Sequence, residues 1–281
     1  MNQEQTAPAS KRYLALYFAL TIPLAWLFWV PMGLVNRQIW PLPASWPTPI
    51  IVFVMSTLGA VSPLVALGII ERVSRGHVTL AAIFRNIRLH EWRRGWTLAS
   101  PLVMIGVHVV LVLAYFCVGA VRGTDTGPVQ IFKPDVFSTL GWWILLVIPL
   151  HFFPALITSP LFEEPGWRGF AFENLQHYVP RDLASLTVGS YWWLWHQGMN
   201  VAFGLEPSLY GYASMLLDSF AIDALYTLSR RNVLAAMLAH QAMGTVFMFL
   251  YAPPAIWYVL LVKLAAVAVL RYQATRRLSE P

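Results

Sequence analysis

Apolar segments of about 20 residues recur along the whole chain, separated by short polar stretches. A bilayer core of about 30 Å needs roughly 20 apolar residues in a helix that crosses it, so this pattern is typical of transmembrane helices. It predicts eight spans, over residues 13–35, 49–70, 97–118, 136–160, 183–203, 209–228, 233–251 and 254–270. No stretch is left for a soluble domain. We therefore predict an all-α polytopic membrane protein with a single integral domain over residues 1–281.

Composition and charge support this prediction and add a topology. The chain is 58% hydrophobic and only 11% charged, which excludes an ordinary soluble protein. Residues 72–94 are rich in arginine, whereas the loops on the opposite side contain only Arg37, Arg122 and Lys133. Because cytoplasmic loops are enriched in Lys and Arg, both termini are predicted to be cytoplasmic. The topology, together with contacts between basic loops and membrane lipids, then explains the net charge of +6. No nucleic-acid partner is predicted.

Charged residues interrupt the apolar pattern at residues 162–170, Phe-Glu-Glu-Pro-Gly-Trp-Arg-Gly-Phe. Ionisable groups at such positions are costly and often functional. In a helix with Pro165 in its first turn, Glu164 and Arg168 lie one turn apart on one face and can form an ion pair. Glu163 beside them is a candidate general base. The structural alternative is a salt-bridge cluster that caps the fourth helix, with its aromatic neighbours as membrane anchors.

Two histidines lie in later apolar segments. Trp192, His196 and Asn200 occupy successive turns of one face of the fifth predicted span, and His240 lies in the seventh. A lone histidine in a transmembrane helix most often makes an interhelical hydrogen bond. Two histidines together with adjacent glutamates, however, supply a base, a proton relay and oxyanion donors. A water molecule needs these groups when it attacks a carbonyl carbon.

Other ionisable residues in the predicted spans include His108, Asp218 and Lys263. Such residues can mark an ion pathway, which is the basis of a transporter hypothesis. They are scattered over several helices, so we favour pairing inside the protein. Asp218 is also a candidate for a supporting role at the site.

Two elements of this pattern resemble the CPBP or ABI family of intramembrane glutamate endopeptidases, which includes the type II CAAX prenyl proteases and bacteriocin-processing enzymes. The family's Glu-Glu-x-x-x-Arg motif is matched by Glu163, Glu164 and Arg168. Its second motif, an aromatic residue followed four positions later by His, is matched by Trp192 and His196, where Trp replaces the more usual Phe.

The third family motif, His followed four positions later by Asn, is matched only in part. His240 fits, but Gly244 occupies the Asn position and has no side chain to donate a hydrogen bond. The resemblance implies that His240 contributes to an oxyanion pocket. Asn200, one turn from His196, is our candidate for the missing donor.

The resemblance also implies a catalytic core over residues 136–251, in an eight-helix fold with a polar cavity that opens to the cytoplasm. Glu163 would activate the hydrolytic water with the help of His196. The Glu164 and Arg168 side chains would organise the site.

The implied function is intramembrane hydrolysis of a peptide bond in a membrane-tethered peptide or protein, with or without a lipid group on that substrate. We predict no cofactor and no metal, and location in a bacterial or archaeal plasma membrane. Zinc-dependent hydrolysis is the second choice of mechanism, because two imidazoles and a carboxylate form a catalytic zinc set, although the chain has no His-Glu-x-x-His element. Alternative functions are a weakly catalytic or non-catalytic binding or immunity protein, which Gly244 favours, and a transporter.

Overall fold

Helices make up the regular structure of this chain in a computed structural model, which describes residues 9–43, 45–91, 95–124, 126–254 and 257–279. The α-helices are Lys11–Asn36 (α1), Thr48–Ala60 (α2), Ser62–Val73 (α3), Leu80–Arg85 (α4), Gly95–Arg122 (α5), Pro134–Leu140 (α6), Ile144–Leu156 (α7), Ser159–Glu164 (α8), Glu173–Leu175 (α9), Arg181–Ala202 (α10), Leu209–Leu228 (α11), Val233–Phe249 (α12) and Trp257–Ser279 (α13). Pro165–Phe172 is a π-helix, and Leu89–Glu91 and Gly141–Trp143 are short 3-10 helices. Within these ranges there is no β-strand, so the all-α prediction is confirmed.

Several of these helices are long and apolar enough to cross a membrane. They are Lys11–Asn36, Gly95–Arg122, the helical run Pro134–Leu175 and Trp257–Ser279. α2 and α3, bent by 43° where they meet, form a fifth span if they are counted together. The predicted number of eight is not confirmed, because α10 and α11 carry polar residues within their apolar sequences and α12 is shorter.

Large apolar side chains are exposed along these helices, as lipid contact requires. On α7, for example, Leu150 is 63% exposed and Phe153 is 66% exposed. Such a surface is unfavourable in water, and it suits the hydrocarbon core of a bilayer. The chain is therefore an integral membrane protein. The cytoplasmic location of both termini stays a prediction. The described ranges do not include the terminal residues 1–8 and 280–281, residues 92–94 of the arginine-rich loop, or residues 255–256 of the last predicted span.

The helices group into two compact units. The first comprises residues 1–86 and 162–207. In it, α1 packs against α2, α3 and α10, and the π-helix packs against α3, α4 and α10. Indole hydrogen bonds connect these helices: Trp26 Nε1 on α1 donates to the carbonyl oxygen of Trp195 at 3.1 Å, and Trp195 Nε1 donates to Ser62 Oγ at 2.9 Å.

The second unit comprises residues 87–161 and 208–281. Here α5 packs against α11, α12 and α13, α11 packs against α12 and α13, and α7 packs against α12. Lys263 Nζ on α13 lies 2.7 Å from Asp218 Oδ2 on α11 and donates to Ser214 Oγ at 2.8 Å. The expected internal pairing of Asp218 is therefore confirmed. Two of the ionisable residues on which the transporter hypothesis was based, Asp218 and Lys263, are thus paired with each other.

Candidate active site

The glutamate pair lies where an α-helix changes to a π-helix. The α-helix begins at Ser159, and the π-helix starts at Pro165, which is therefore inside a longer helical run rather than in the first turn of a new helix. Proline cannot donate a main-chain hydrogen bond and its ring crowds the preceding turn, so regular α geometry is disfavoured here. Short π-helical segments are frequent at functional sites. All residues of Pro165–Phe172 are buried.

Glu164 and Arg168 form the ion pair that their spacing predicts. Arg168 Nη1 donates to Glu164 Oε1 at 3.0 Å, and both side chains are 0% exposed. A buried ion pair contributes little net stability, but loss of one partner leaves an uncompensated charge at high cost. This pair therefore holds the two helical turns around Pro165 in a fixed relation.

Trp192 of α10 contacts both parts of this charged segment. Its indole Nε1 donates to Glu163 Oε2 at 2.9 Å, and its ring faces the guanidinium of Arg168, whose Cζ lies 5.0 Å from the ring centroid. Glu163 is only 2% exposed, so the hydrogen bond forms away from bulk solvent. A phenylalanine at this position would preserve the stacking but could not donate to the carboxylate.

His196 is oriented by the same tryptophan. Its Nδ1 lies 2.9 Å from the main-chain oxygen of Trp192. Since a carbonyl oxygen only accepts hydrogen bonds, Nδ1 carries a proton in this contact, and Nε2 is the acceptor nitrogen whenever the ring is neutral. Edge contacts with the rings of Trp192 and Trp195, at centroid distances of 5.2 and 4.7 Å, fix the imidazole plane. This tautomer suits a group that accepts a proton.

The remaining predicted residues are distributed over both units. Asn200 is half-buried on α10, one turn beyond His196. His240 is buried on α12 of the second unit, where Asp218 pairs with Lys263. The first unit thus brings together Glu163, Glu164, Arg168, Trp192 and His196.

Metal ligands would have to form a close group of acidic, histidine or cysteine side chains. Among the described residues, no three such side chains are grouped closely enough to hold an ion. The zinc-dependent alternative therefore rests on the residue types in the sequence and has no ligand group in this part of the chain.

One residue of this region was not predicted from the sequence. Tyr17 on α1 is 0% exposed, and its ring lies 5.5 Å from that of Trp167 and 5.3 Å from that of Phe170. An aromatic residue within an apolar helix is usually a packing residue. No local signal distinguishes Tyr17 from the other aromatic residues of its helix.

A known protein family matches the part of the chain that contains this site. Residues 140–246 match the family described as type II CAAX prenyl endopeptidase, Rce1-like. A CAAX prenyl protease 2 from Methanococcus maripaludis is 46% identical over 41 residues, and this match spans 15% of this chain and 15% of the length of that relative. Over residues 140–246 the chain is thus similar to the Rce1-like family of type II CAAX prenyl endopeptidases, and this stretch contains the Glu-Glu-x-x-x-Arg motif with its buried ion pair.

Proposed function

We propose that this protein is an intramembrane endopeptidase that hydrolyses a peptide bond of a membrane-tethered substrate by means of a glutamate-activated water. The observation that carries the proposal is the setting of Glu163. Its carboxylate is buried in an apolar helical run, accepts a hydrogen bond from Trp192, and lies next to the Glu164–Arg168 ion pair. Maintaining an acidic side chain in such a setting is costly, which favours a functional role.

The reaction follows from general base catalysis. Glu163 takes a proton from a water molecule, and the water oxygen attacks the carbonyl carbon of the scissile bond. Trp192 holds one carboxylate oxygen, Oε2, in place by donating its indole N–H to it. Collapse of the tetrahedral intermediate breaks the C–N bond, and the proton passes to the leaving amine. The products are a carboxylic acid and an amine.

His196 and Arg168 support this cycle. The Nε2 atom of His196 accepts and returns a proton, because Nδ1 is engaged with the Trp192 carbonyl oxygen. Arg168 balances the charge of Glu164 within their buried ion pair.

The oxyanion donor needs a separate proposal, because Gly244 has no donor side chain. The family resemblance assigns one donor to His240. A Cβ atom placed on Gly244 would lie 3.9 Å from both Nε2 and Oε1 of Gln241, so the Gln241 amide lies beside the position that Asn occupies in the family. We therefore prefer Gln241 over Asn200 as the substitute donor.

The substrate class is proposed from the names of the similar proteins. The family and the relative are described as CAAX prenyl proteases, so a protein anchored by a prenylated C-terminal cysteine is the first client to test. The proposed reaction needs no metal, and its proposed location is a bacterial or archaeal plasma membrane. The second candidate function is a non-catalytic binding or immunity protein, which Gly244 alone favours.

The experiment is proteolysis by the purified protein in liposomes. A peptide library of membrane-protein termini is presented with and without a farnesyl-cysteine group, to wild type and to Glu163→Ala, with and without a strong chelator. We expect cleavage by the wild type that survives chelation and is lost in the variant. Absence of cleavage under conditions where a known CAAX protease is active would favour the binding protein, and loss on chelation would favour zinc.

A further inference from the structure

Tyr17 is placed against the π-helix by its aromatic neighbours. The ring is fully buried and lies in edge contact with Trp167 and in tilted contact with Phe170, one residue on each side of the Arg168–Gly169 pair. Both neighbours belong to the π-helix. The phenol ring therefore has a single orientation, and its hydroxyl points to a defined place on that helix.

That place is Gly166. A Cβ atom on residue 166 would lie 2.4 Å from Tyr17 Oη and 2.9 Å from Pro63 Cβ, which is closer than real Cβ contacts allow. The main chain of the π-helix thus approaches the Tyr17 hydroxyl as closely as only a glycine permits. This contact explains the glycine three residues after Glu163.

The Tyr17 hydroxyl also lies in the field of the catalytic charges. It interacts electrostatically with Glu163, Glu164 and Arg168. The geometry gives Oη no hydrogen bond to a described residue, although the Thr21 side chain lies near enough to interact with it. The neighbouring Thr21 hydroxyl is engaged, because it donates to the main-chain oxygen of Tyr17 at 2.6 Å.

Packing alone does not account for a hydroxyl at this position. A buried polar group without a partner is destabilising, so phenylalanine would fill the same space at a lower free energy. Residues that reduce stability in this way are characteristic of functional sites. A functional contribution would account for a hydroxyl at this position.

We propose that Tyr17 is a positioning residue for the glutamate pair: its hydroxyl, seated on Gly166, fixes the π-helical segment and orients the charges of Glu163 and Glu164. This proposal rests on the proposed function, since its consequence is catalytic. The Tyr17 hydroxyl acts through the glutamates and does not touch the substrate.

The first test is Tyr17→Phe, which removes one oxygen atom and preserves the ring. We expect kcat for the peptide cleaved by the wild type to fall about tenfold, with KM unchanged and with a Tm equal to or above that of the wild type. Tyr191→Phe is the matched control, because Tyr191 is also in the first unit and contacts the neighbouring Phe18 at 4.4 Å. That variant should keep the wild-type kcat.

Three outcomes would overturn the proposal. A kcat within twofold of the wild type would show that the hydroxyl does not act on the glutamates, and a parallel fall in kcat and Tm would assign Tyr17 to packing. If the wild type and Glu163→Ala were equally inactive, the proposed function would fail, and this role would fail with it. An active wild type with an unaffected Tyr17→Phe would reject the Tyr17 role alone.

A second variant tests the contact between the Tyr17 hydroxyl and Gly166 without a measurement of activity. Gly166→Ala should lower Tm, because its Cβ meets Tyr17 Oη and Pro63 Cβ. Combining Gly166→Ala with Tyr17→Phe should recover part of that loss, since one of the two contacts is removed. Additive effects of the two substitutions would show that the hydroxyl does not lie on Gly166.

Discussion

Replacing Arg168 by Met tests the buried ion pair that organises the site. The substitution removes the guanidinium and leaves Glu164, which is 0% exposed, without the partner 3.0 Å away. Removing one member of a buried ion pair typically costs about 3–5 kcal/mol, because the remaining charge is desolvated and uncompensated. The stacking of Arg168 on Trp192 is lost as well, which adds about 0.5–2 kcal/mol. We expect the free energy of unfolding to fall by at least about 3 kcal/mol.

The assay is reversible unfolding in mixed micelles, followed by helical circular dichroism. The double variant Glu164→Gln with Arg168→Met is the control, because it removes both charges and should recover at least about 2 kcal/mol of the loss. Arg168→Lys should lie between wild type and Arg168→Met, since a lysine keeps the charge but neither the planar fork nor the stacking. A loss below about 1 kcal/mol for Arg168→Met, or a double variant no more stable than the single one, would refute the reasoning.

Three single variants and one double variant test the catalytic proposals by steady-state kinetics. Trp192→Phe keeps an aromatic ring but removes the N–H that donates to Glu163. We therefore expect kcat to fall at least about tenfold with KM little changed. An unchanged kcat would mean that the hydrogen bond is not needed. Gln241→Ala should lower kcat at least about tenfold, and adding Gly244→Asn to it should restore most of the activity, because an asparagine donor then replaces the glutamine amide. Asn200→Ala should leave kcat unchanged, and the opposite ranking of the glutamine and asparagine variants would return the donor role to Asn200.

Local spacing was sufficient to predict part of the site. Glu164 and Arg168 are four residues apart, so α-helical geometry brings their side chains to one face, and the observed pair agrees. The placement of Trp192 and His196 one turn apart on α10 likewise depends only on helical periodicity. The all-α membrane class follows from the apolar segments alone.

The sequence pattern could not predict contacts between segments that are distant along the chain. Tyr17 meets Gly166 through the packing of α1 against its neighbours, and nothing in either local sequence indicates this contact. The donation from Trp192 to Glu163 depends on a side-chain rotamer and on the π-helix that starts at Pro165. Length and hydropathy do not confirm the predicted eight spans, because α10 and α11 carry polar residues within their apolar segments.

The central claim is that Glu163 is the general base, and its most direct test is the kcat of purified Glu163→Gln on the peptide that the wild type cleaves. Glutamine keeps the size of the side chain and an oxygen that accepts from Trp192, but it cannot take a proton from water. Since general base catalysis contributes about 100-fold or more, we predict a fall in kcat of at least that size with KM within about twofold of the wild type. A variant that retained more than about a tenth of the wild-type kcat would contradict the claim.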